Sequence, residues 1–273
     1  MQKSKGTIVK FVYKYRWLML IIISFVFLLY FKNNVNEGNQ NMRNIVVSMT
    51  TIPERIEKNT IDKTLNSLFE QTIRPDIVYI NVPKVSKRNI EYPIDKLESM
   101  VVKYYPNLNV KINIVEKDLG PITKVIPILS LIKNKDIVIL VDDDMNYIPT
   151  MIEQLINSNE NAVGYAGRVT GLEYKTGENY SGDVEFLETF AGVLYTGEIL
   201  KGLDKFYEKI NEICVNQDDI IIGKFLNSKN IFPKIAPNLK NPGTHDANGT
   251  PELRTYNLTS GNQKCYDYLF KRQ

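Results

Sequence analysis

Three consecutive carboxylates, Asp142, Asp143 and Asp144, are the residues of this chain with the clearest chemical potential. They follow the apolar run Ile137-Val138-Ile139-Leu140-Val141 and precede Met145-Asn146-Tyr147-Ile148-Pro149. Such an unbroken aliphatic run reads as a strand buried on both faces, the kind found inside an α/β sheet. Its C-terminal end is where open α/β sheets bind ligands. Adjacent carboxylates repel, so the triplet calls for a cation or for hydrogen-bond donors. Oxygen ligands of this type suit Mg²⁺ or Mn²⁺, which commonly bridge one or two carboxylates to substrate phosphates. The plain alternative is an acidic turn or a helix N-terminus with solvated side chains.

The elements that must position this triplet are legible on either side. Residues 44–50 read as a first strand, 60–71 as a helix, 76–82 as a second strand closed by Pro83, 94–105 as a helix and 109–115 as a third strand. Pro121 suits the first turn of a helix running to about residue 132, and another helix is expected over 150–157. This β-α-β-α-β-α-β order predicts an α/β fold with a mainly parallel sheet flanked by helices. After residue 162 the pattern changes to short strands separated by glycines, with helices returning near 199–211 and 217–228. The first half reads as nucleotide-binding, and the second as a mixed half shaping an acceptor cleft.

Five strings along residues 45–225 share a further property. Val47-Ser48-Met49-Thr50-Thr51-Ile52-Pro53-Glu54-Arg55, Ser67-Leu68-Phe69-Glu70-Gln71 with Arg74-Pro75-Asp76, Asp118-Leu119-Gly120-Pro121-Ile122-Thr123-Lys124, Val141-Asp142-Asp143-Asp144 and Gln217-Asp218-Asp219-Ile220-Ile221-Ile222-Gly223 occur in this order. Together they resemble the motifs of GT-A glycosyltransferases of the DXD-containing, family 2-like kind. The resemblance implies a GT-A (Rossmann-like) fold and transfer of a sugar from a nucleotide diphosphate donor, UDP-sugar favoured, to a hydroxyl of a glycan or glycoprotein acceptor. Mn²⁺ or Mg²⁺ would act as a Lewis acid on the leaving diphosphate. An inverting transfer is favoured.

Carried over residue by residue, the resemblance implies a donor site of Thr50, Thr51, Arg55, Lys124, Asp142, Asp143 and Gly192. The metal would be held by Asp144 and Asp142 and completed by His245, the chain's sole histidine. Asp219 would be the base that deprotonates the acceptor, with Asp218 beside it. Each residue also has a structural alternative. Thr-Ile-Pro at 51–53 ends a strand, Lys124 is a solvated helix lysine, and Asp218 caps a helix. His245 then decorates a loop, and Gly192 in Phe190-Ala191-Gly192-Val193 relieves a strand crossing.

The ends of the chain supply topology. Residues 1–16 contain five Lys/Arg and no acid, and residues 17–31 are apolar but for Ser24 and the aromatic-belt hydroxyl of Tyr30. That run covers roughly 22 Å and, without a small-residue cleavage site after it, reads as a transmembrane signal anchor rather than a cleaved signal peptide. Positive-inside places 1–16 in the cytoplasm, 32–43 as a polar stem, and 44–273 as a catalytic domain on the lumenal or extracellular side (Golgi or ER in a eukaryotic host) of a single-pass type II membrane protein. Seven Lys/Arg against one Glu leave +6 on residues 1–43, so 44–273 carry −3 and no basic surface argues for nucleic acid. Cys214 and Cys265 either pair in an oxidising lumen or stay buried thiols.

Three other readings compete. A haloacid-dehalogenase-like phosphatase would want Thr or Val where Asn146 stands, and its motif opens the domain. A nucleotidyltransferase shares the sheet and the metal, but normally carries a glycine-rich loop after the first strand, and residues 48–55 contain no glycine. A membrane-tethered, non-catalytic sugar- or nucleotide-binding module would have no need of Asp144, Lys124 and Asp219 together.

Overall fold

The computed structural model describes Ser24 and residues 43–237, 239, 241–245 and 261–271. Among these, no helix is long and apolar enough to cross a membrane. The predicted anchor at 17–31 lies outside them apart from Ser24, as does most of the stem.

The first half alternates as its periodicity predicts. It runs β1 (Ile45–Thr50), α1 (Pro53–Glu57), α2 (Ile61–Phe69), β2 (Ile77–Pro83), α3 (Ile94–Tyr104), β3 (Val110–Val115) and β4 (Ile137–Leu140). The second half contains β5 (Met145–Tyr147), α4 (Met151–Asn157), β6 (Ala162–Gly164), β7 (Ala166–Val169), β8 (Glu173–Thr176), β9 (Gly182–Asp183), β10 (Phe186–Leu187) and β11 (Val193–Thr196). Then follow α5 (Gly197–Leu200), α6 (Leu203–Tyr207), α7 (Asp218–Ser228), β12 (Lys234–Ile235), β13 (Gly243–His245) and α8 (Asn262–Tyr266).

Eight strands form one sheet in the order β3-β2-β1-β4-β11-β6-β12-β9. The four strands of the first half are mutually parallel, whereas β11 enters antiparallel between β4 and β6. The architecture is therefore mixed α/β, its parallel half flanked by helices, and it fits a Rossmann-like GT-A fold. Register places Ser48 opposite Leu140 and Thr50 opposite Asn81, so β1 and β4 end side by side and deliver residues 51–55 and 142–144 to one edge. Side chains alternate across the sheet, so two cores form. Val47, Ile139 and Val141 face one, while Val46, Val138 and Leu140 face the other.

Two local expectations are corrected. The helix predicted from Pro121 to about residue 132 is instead a pair of 3₁₀ stretches, Gly120–Lys124 and Ile126–Ser130, broken at Val125. Pro127 explains the break, since it lacks an N–H and its ring excludes an α-helical turn before it. Lys124 thus ends a short turn instead of opening a helix. Gly120 starts that turn at φ 77°, and a Cβ there would lie 2.9 Å from the Val215 carbonyl oxygen. The close approach draws the Lys124 turn against the segment leading into α7.

Cys214 and Cys265 are joined in a disulfide that ties α8 to the stretch preceding α7. From α8, the Tyr266 hydroxyl donates to Glu185 Oε2 at 2.7 Å and accepts the Gly171 N–H at 3.1 Å, holding the β7–β8 hairpin tip. With the cysteines 51 positions apart in sequence, loop-closure entropy makes the bond worth about 4 kcal/mol. Reduction is therefore expected to lower Tm by on the order of 10 °C. A melting curve with and without reductant tests this, with Cys214→Ser/Cys265→Ser as the insensitive control; equal Tm values would mean the bond contributes nothing.

Candidate active site

The edge shared by β1 and β4 carries a network of buried opposite charges. Arg55, in α1, reaches across to the triplet, donating from Nη1 to Asp143 Oδ1 and from Nη2 to Asp144 Oδ2 at 2.7 Å. Pro53 sets this geometry by opening α1 immediately after the strand. Lys124, only 3 % exposed, donates to Asp142 and to Thr189 Oγ1 at 2.9 Å, and its Nζ lies 3.0 Å from Asp218 Oδ2. The acidic triplet and the acidic pair thus share one lysine.

The lysine's position is built by the strands beneath it. Ser48 Oγ donates to the Lys124 carbonyl at 2.6 Å, Asn81 donates to Ser48 Oγ at 2.9 Å, and Asn113 donates to Asn81 Oδ1 at 2.8 Å. One polar residue from each of β1, β2 and β3 forms this chain under the Lys124 turn.

Electrostatics follow from burial and crowding. Burial pulls the Lys124 ammonium down, but Asp142, Asp218 and Asp219 outweigh it and hold its pKa well above the ordinary value. Arg55 behaves likewise, with Asp143 and Asp144 as the main opposing charges. Burial raises the Asp143 carboxyl against the pull of Arg55 and the Thr51 hydroxyl. Burial, reinforced by Asp142 and Asp143, pushes Asp144 up to about 6, against Arg55 and His245. Asp219 is driven well above the carboxylate range by burial and by Asp218 and Glu188, with Lys124 opposing.

Asp218 and Asp219 occupy the first turn of α7, and the residue capping the helix is Gln217, one position earlier than the sequence suggests. The positive end of a helix favours such carboxylates. Asp219 Oδ1 accepts the Thr189 N–H at 3.0 Å. His245, on β13, is brought beside the triplet because β13 pairs with β5 and sets His245 opposite Met145. Its Nε2 lies 3.2 Å from Asp144 Oδ2.

The cluster thus unites Arg55, Lys124, Asp142, Asp143, Asp144, Asp218, Asp219 and His245. Thr50 and Thr51 border it: the Thr50 hydroxyl donates to the Asn81 carbonyl at 2.8 Å, and the Thr51 carbonyl accepts from Tyr92 at 2.9 Å. Gly192 has φ 81°, and a Cβ there would meet Met151 Sδ at 3.1 Å. Two participants escaped sequence reading. Thr189 touches Lys124, Asp218 and Asp219. Tyr147 accepts the Asp142 N–H at 3.0 Å and donates to the Phe190 carbonyl at 2.9 Å, joining the triplet to the 189–191 turn. Neither residue type announces such a role.

Among the described residues no three His, Cys, Asp or Glu side chains converge as a ready metal site. Asp142 pairs with Lys124 and Asp144 with Arg55, so each carboxylate already has a cation, and Asp144 and His245 are the two proposed ligands that touch each other. Two protein ligands fit Mg²⁺ or Mn²⁺, which ordinarily keep waters and substrate phosphates as the remainder. A carboxyl pushed up to about 6 by burial and by Asp142 and Asp143 is also one whose ionised form an added cation would stabilise. An ion would therefore be held by Asp144 and His245.

No protein-family model matches the chain, and no curated protein does. Among solved structures, TarS from S. aureus superimposes with a TM-score of 0.53 at 16% identity, covering 84% of this chain and 44% of that one. S. aureus TarS 1–349 in complex with UDP-GlcNAc gives 0.47 at 17% identity, over 79% of this chain and 63% of that one. The inositol-1-phosphate CTP transferase from T. maritima gives 0.49 at 11% identity, over 83% and 97%. The chain spans less than two thirds of the TarS chains' length. The finding that stands is one of architecture: this chain has a fold similar to that of TarS.

Proposed function

We propose that this chain is a metal-dependent, inverting glycosyltransferase that moves a sugar from a nucleotide diphosphate donor to a hydroxyl of a glycan or glycoprotein. The observation that carries the reading is the bridge at Lys124, which joins Asp142 to Asp218 beside Asp219. A diphosphate-facing half and a proton-accepting half thereby belong to one charge cluster at the C-terminal ends of the strands. UDP is the favoured nucleotide because it is the commonest donor among the enzymes whose motifs this sequence resembles.

In this reading Thr50, Thr51 and Arg55 border the nucleoside, and Asp142 and Asp143 face its ribose. A bound Mg²⁺ or Mn²⁺ would supply Lewis acidity to the leaving diphosphate. Lys124 adds a fixed positive charge in a dry setting, where charge stabilisation is most effective. Asp219 takes the proton of the acceptor hydroxyl as that oxygen bonds the anomeric carbon and the bond to the diphosphate oxygen breaks. The product is the glycoside, and the nucleoside diphosphate leaves with the bonding electrons. The disulfide accords with an oxidising compartment, and the basic, apolar N-terminus with a type II anchor.

The test is calorimetric titration of the full chain with UDP, GDP and CDP, with and without Mn²⁺. Mn²⁺-dependent binding of one nucleotide is expected, weakened at least roughly tenfold in Asp144→Ala. A folded chain that binds no nucleotide with Mn²⁺ present would end the transferase reading.

A further inference from the structure

Beyond Met145 the charged cluster gives way to a cavity of about 210 Å³ that no step above uses. Its floor is made by the buried Met145, Tyr165 and Ala191, with Phe190 on the wall. The mouth is formed by His245 and by Tyr174, which is 43 % exposed. Among the described residues, no Asp, Glu, Lys or Arg lines it. Arg168 has its guanidinium over the Tyr174 ring at 5.2 Å and is already paired with Glu188 and with the Leu172 carbonyl at 2.9 Å. The tyrosine is therefore braced, and the charge bracing it is neutralised.

A half-open aromatic cavity without free charge suits a ligand with apolar faces and neutral polar edges. A pyranose ring has that character, its C–H faces packing on aromatic walls and its hydroxyls reaching Thr176 and the tyrosine hydroxyls. A carboxylate or phosphate on the ring would be desolvated without a partner. The location says which sugar it is. Phe190 and Ala191 line the cavity, and the preceding Thr189 binds Asp219 through its N–H. The turn that walls the cavity is therefore the same 189–191 turn that is hydrogen-bonded to the base. The mouth is open to solvent at Tyr174 and His245, whereas the anomeric centre of an activated donor must be kept from water.

We propose that this cavity seats the terminal neutral sugar ring of the acceptor, with the rest of the acceptor leaving past Tyr174. This deepens the transferase reading and rests on it for the identity of the acceptor.

The test is saturation-transfer NMR on the full chain with the methyl β-glycosides of glucose, galactose, N-acetylglucosamine and glucuronic acid, paired with calorimetry of UDP and UDP-sugar in Mn²⁺. At least one neutral glycoside is expected to bind and the glucuronide not. Tyr174→Ala is expected to weaken that binding about tenfold, Tyr174→Phe to retain it, and neither to change UDP affinity. Absence of glycoside binding in a chain that binds UDP would overturn the proposal, as would glycoside binding indifferent to Tyr174→Ala. So would a Tyr174→Ala effect confined to UDP-sugar over UDP, because the ring in the cavity would then be the donor's. Glycoside binding through Tyr174 in a chain that ignores UDP would uphold the cavity and sink only the donor site.

Discussion

Asp219→Asn is expected to lower kcat for sugar transfer by about 100- to 10,000-fold while leaving UDP affinity unchanged. The amide keeps the oxygen that accepts the Thr189 N–H, so the α7 start and the 189–191 turn stay in place and only proton acceptance is lost. The pH dependence separates this from a structural defect. Transfer requires ionised Asp219, and burial beside Asp218 and Glu188 holds its pKa well above the usual carboxylate range. In the native chain kcat/KM should therefore fall as pH drops through that raised value, at a higher pH than an ordinary aspartate would give. The Asn variant's residual rate should be flat over the same span. Asp218→Asn is the contrast, because Asp218 lies 3.0 Å from Lys124 Nζ. Its loss should disturb donor binding and stability more than the proton step. Should Asp218→Asn lose the acid limb while Asp219→Asn keeps near-native rates, the base is Asp218.

The same roles show which parts of the site a sequence can disclose. The Asp142-Asp143-Asp144 triplet was legible because a buried strand must end somewhere, and charges at its C-terminal end are locally visible. Arg55 and Lys124 were legible as cations near strand ends, yet their partners were not: Arg55 meets Asp143 across 88 residues and Lys124 meets Thr189 across 65. Pairings at that separation depend on strand order, which periodicity leaves open. In the parallel half, where each strand is followed by a helix or turn on a regular spacing, the succession of elements and the parallel sense were legible. In the second half, strands of two to four residues carry too few alternations to declare a face or a direction, and β11 entered antiparallel unannounced. The 3₁₀ break after Lys124 has its cause in Pro127, but the apolar spacing on either side of that proline also suits a longer helix. Thr189 and Tyr147 have residue types that suit any strand or turn, so only their contacts reveal them.

Lys124→Met should cost about 3–5 kcal/mol at neutral pH, the usual penalty for stripping the partner from buried charges. For a domain of this size that is on the order of 10 °C in Tm. Methionine keeps the stem's packing and removes the ammonium that contacts Asp142 and Asp218 and opposes the rise of Asp219. The pH dependence has a definite sign. Without the lysine charge the folded-state pKa of Asp219, already raised, climbs further above its unfolded value. Carboxyls raised in this way favour the folded state below their unfolded pKa, and that stability is lost as pH rises through the folded value. The variant's deficit should thus be largest at neutral pH and shrink toward pH 4, where protonation removes the repulsion. Adding Asp142→Asn to Lys124→Met should restore part of the loss, and a double-mutant cycle measures that coupling. A lysine that served only as packing would give a deficit independent of pH and additive with Asp142→Asn. Either result would dismiss the ion-pair bridge, and with it the electrostatic link between the acidic triplet and the acidic pair.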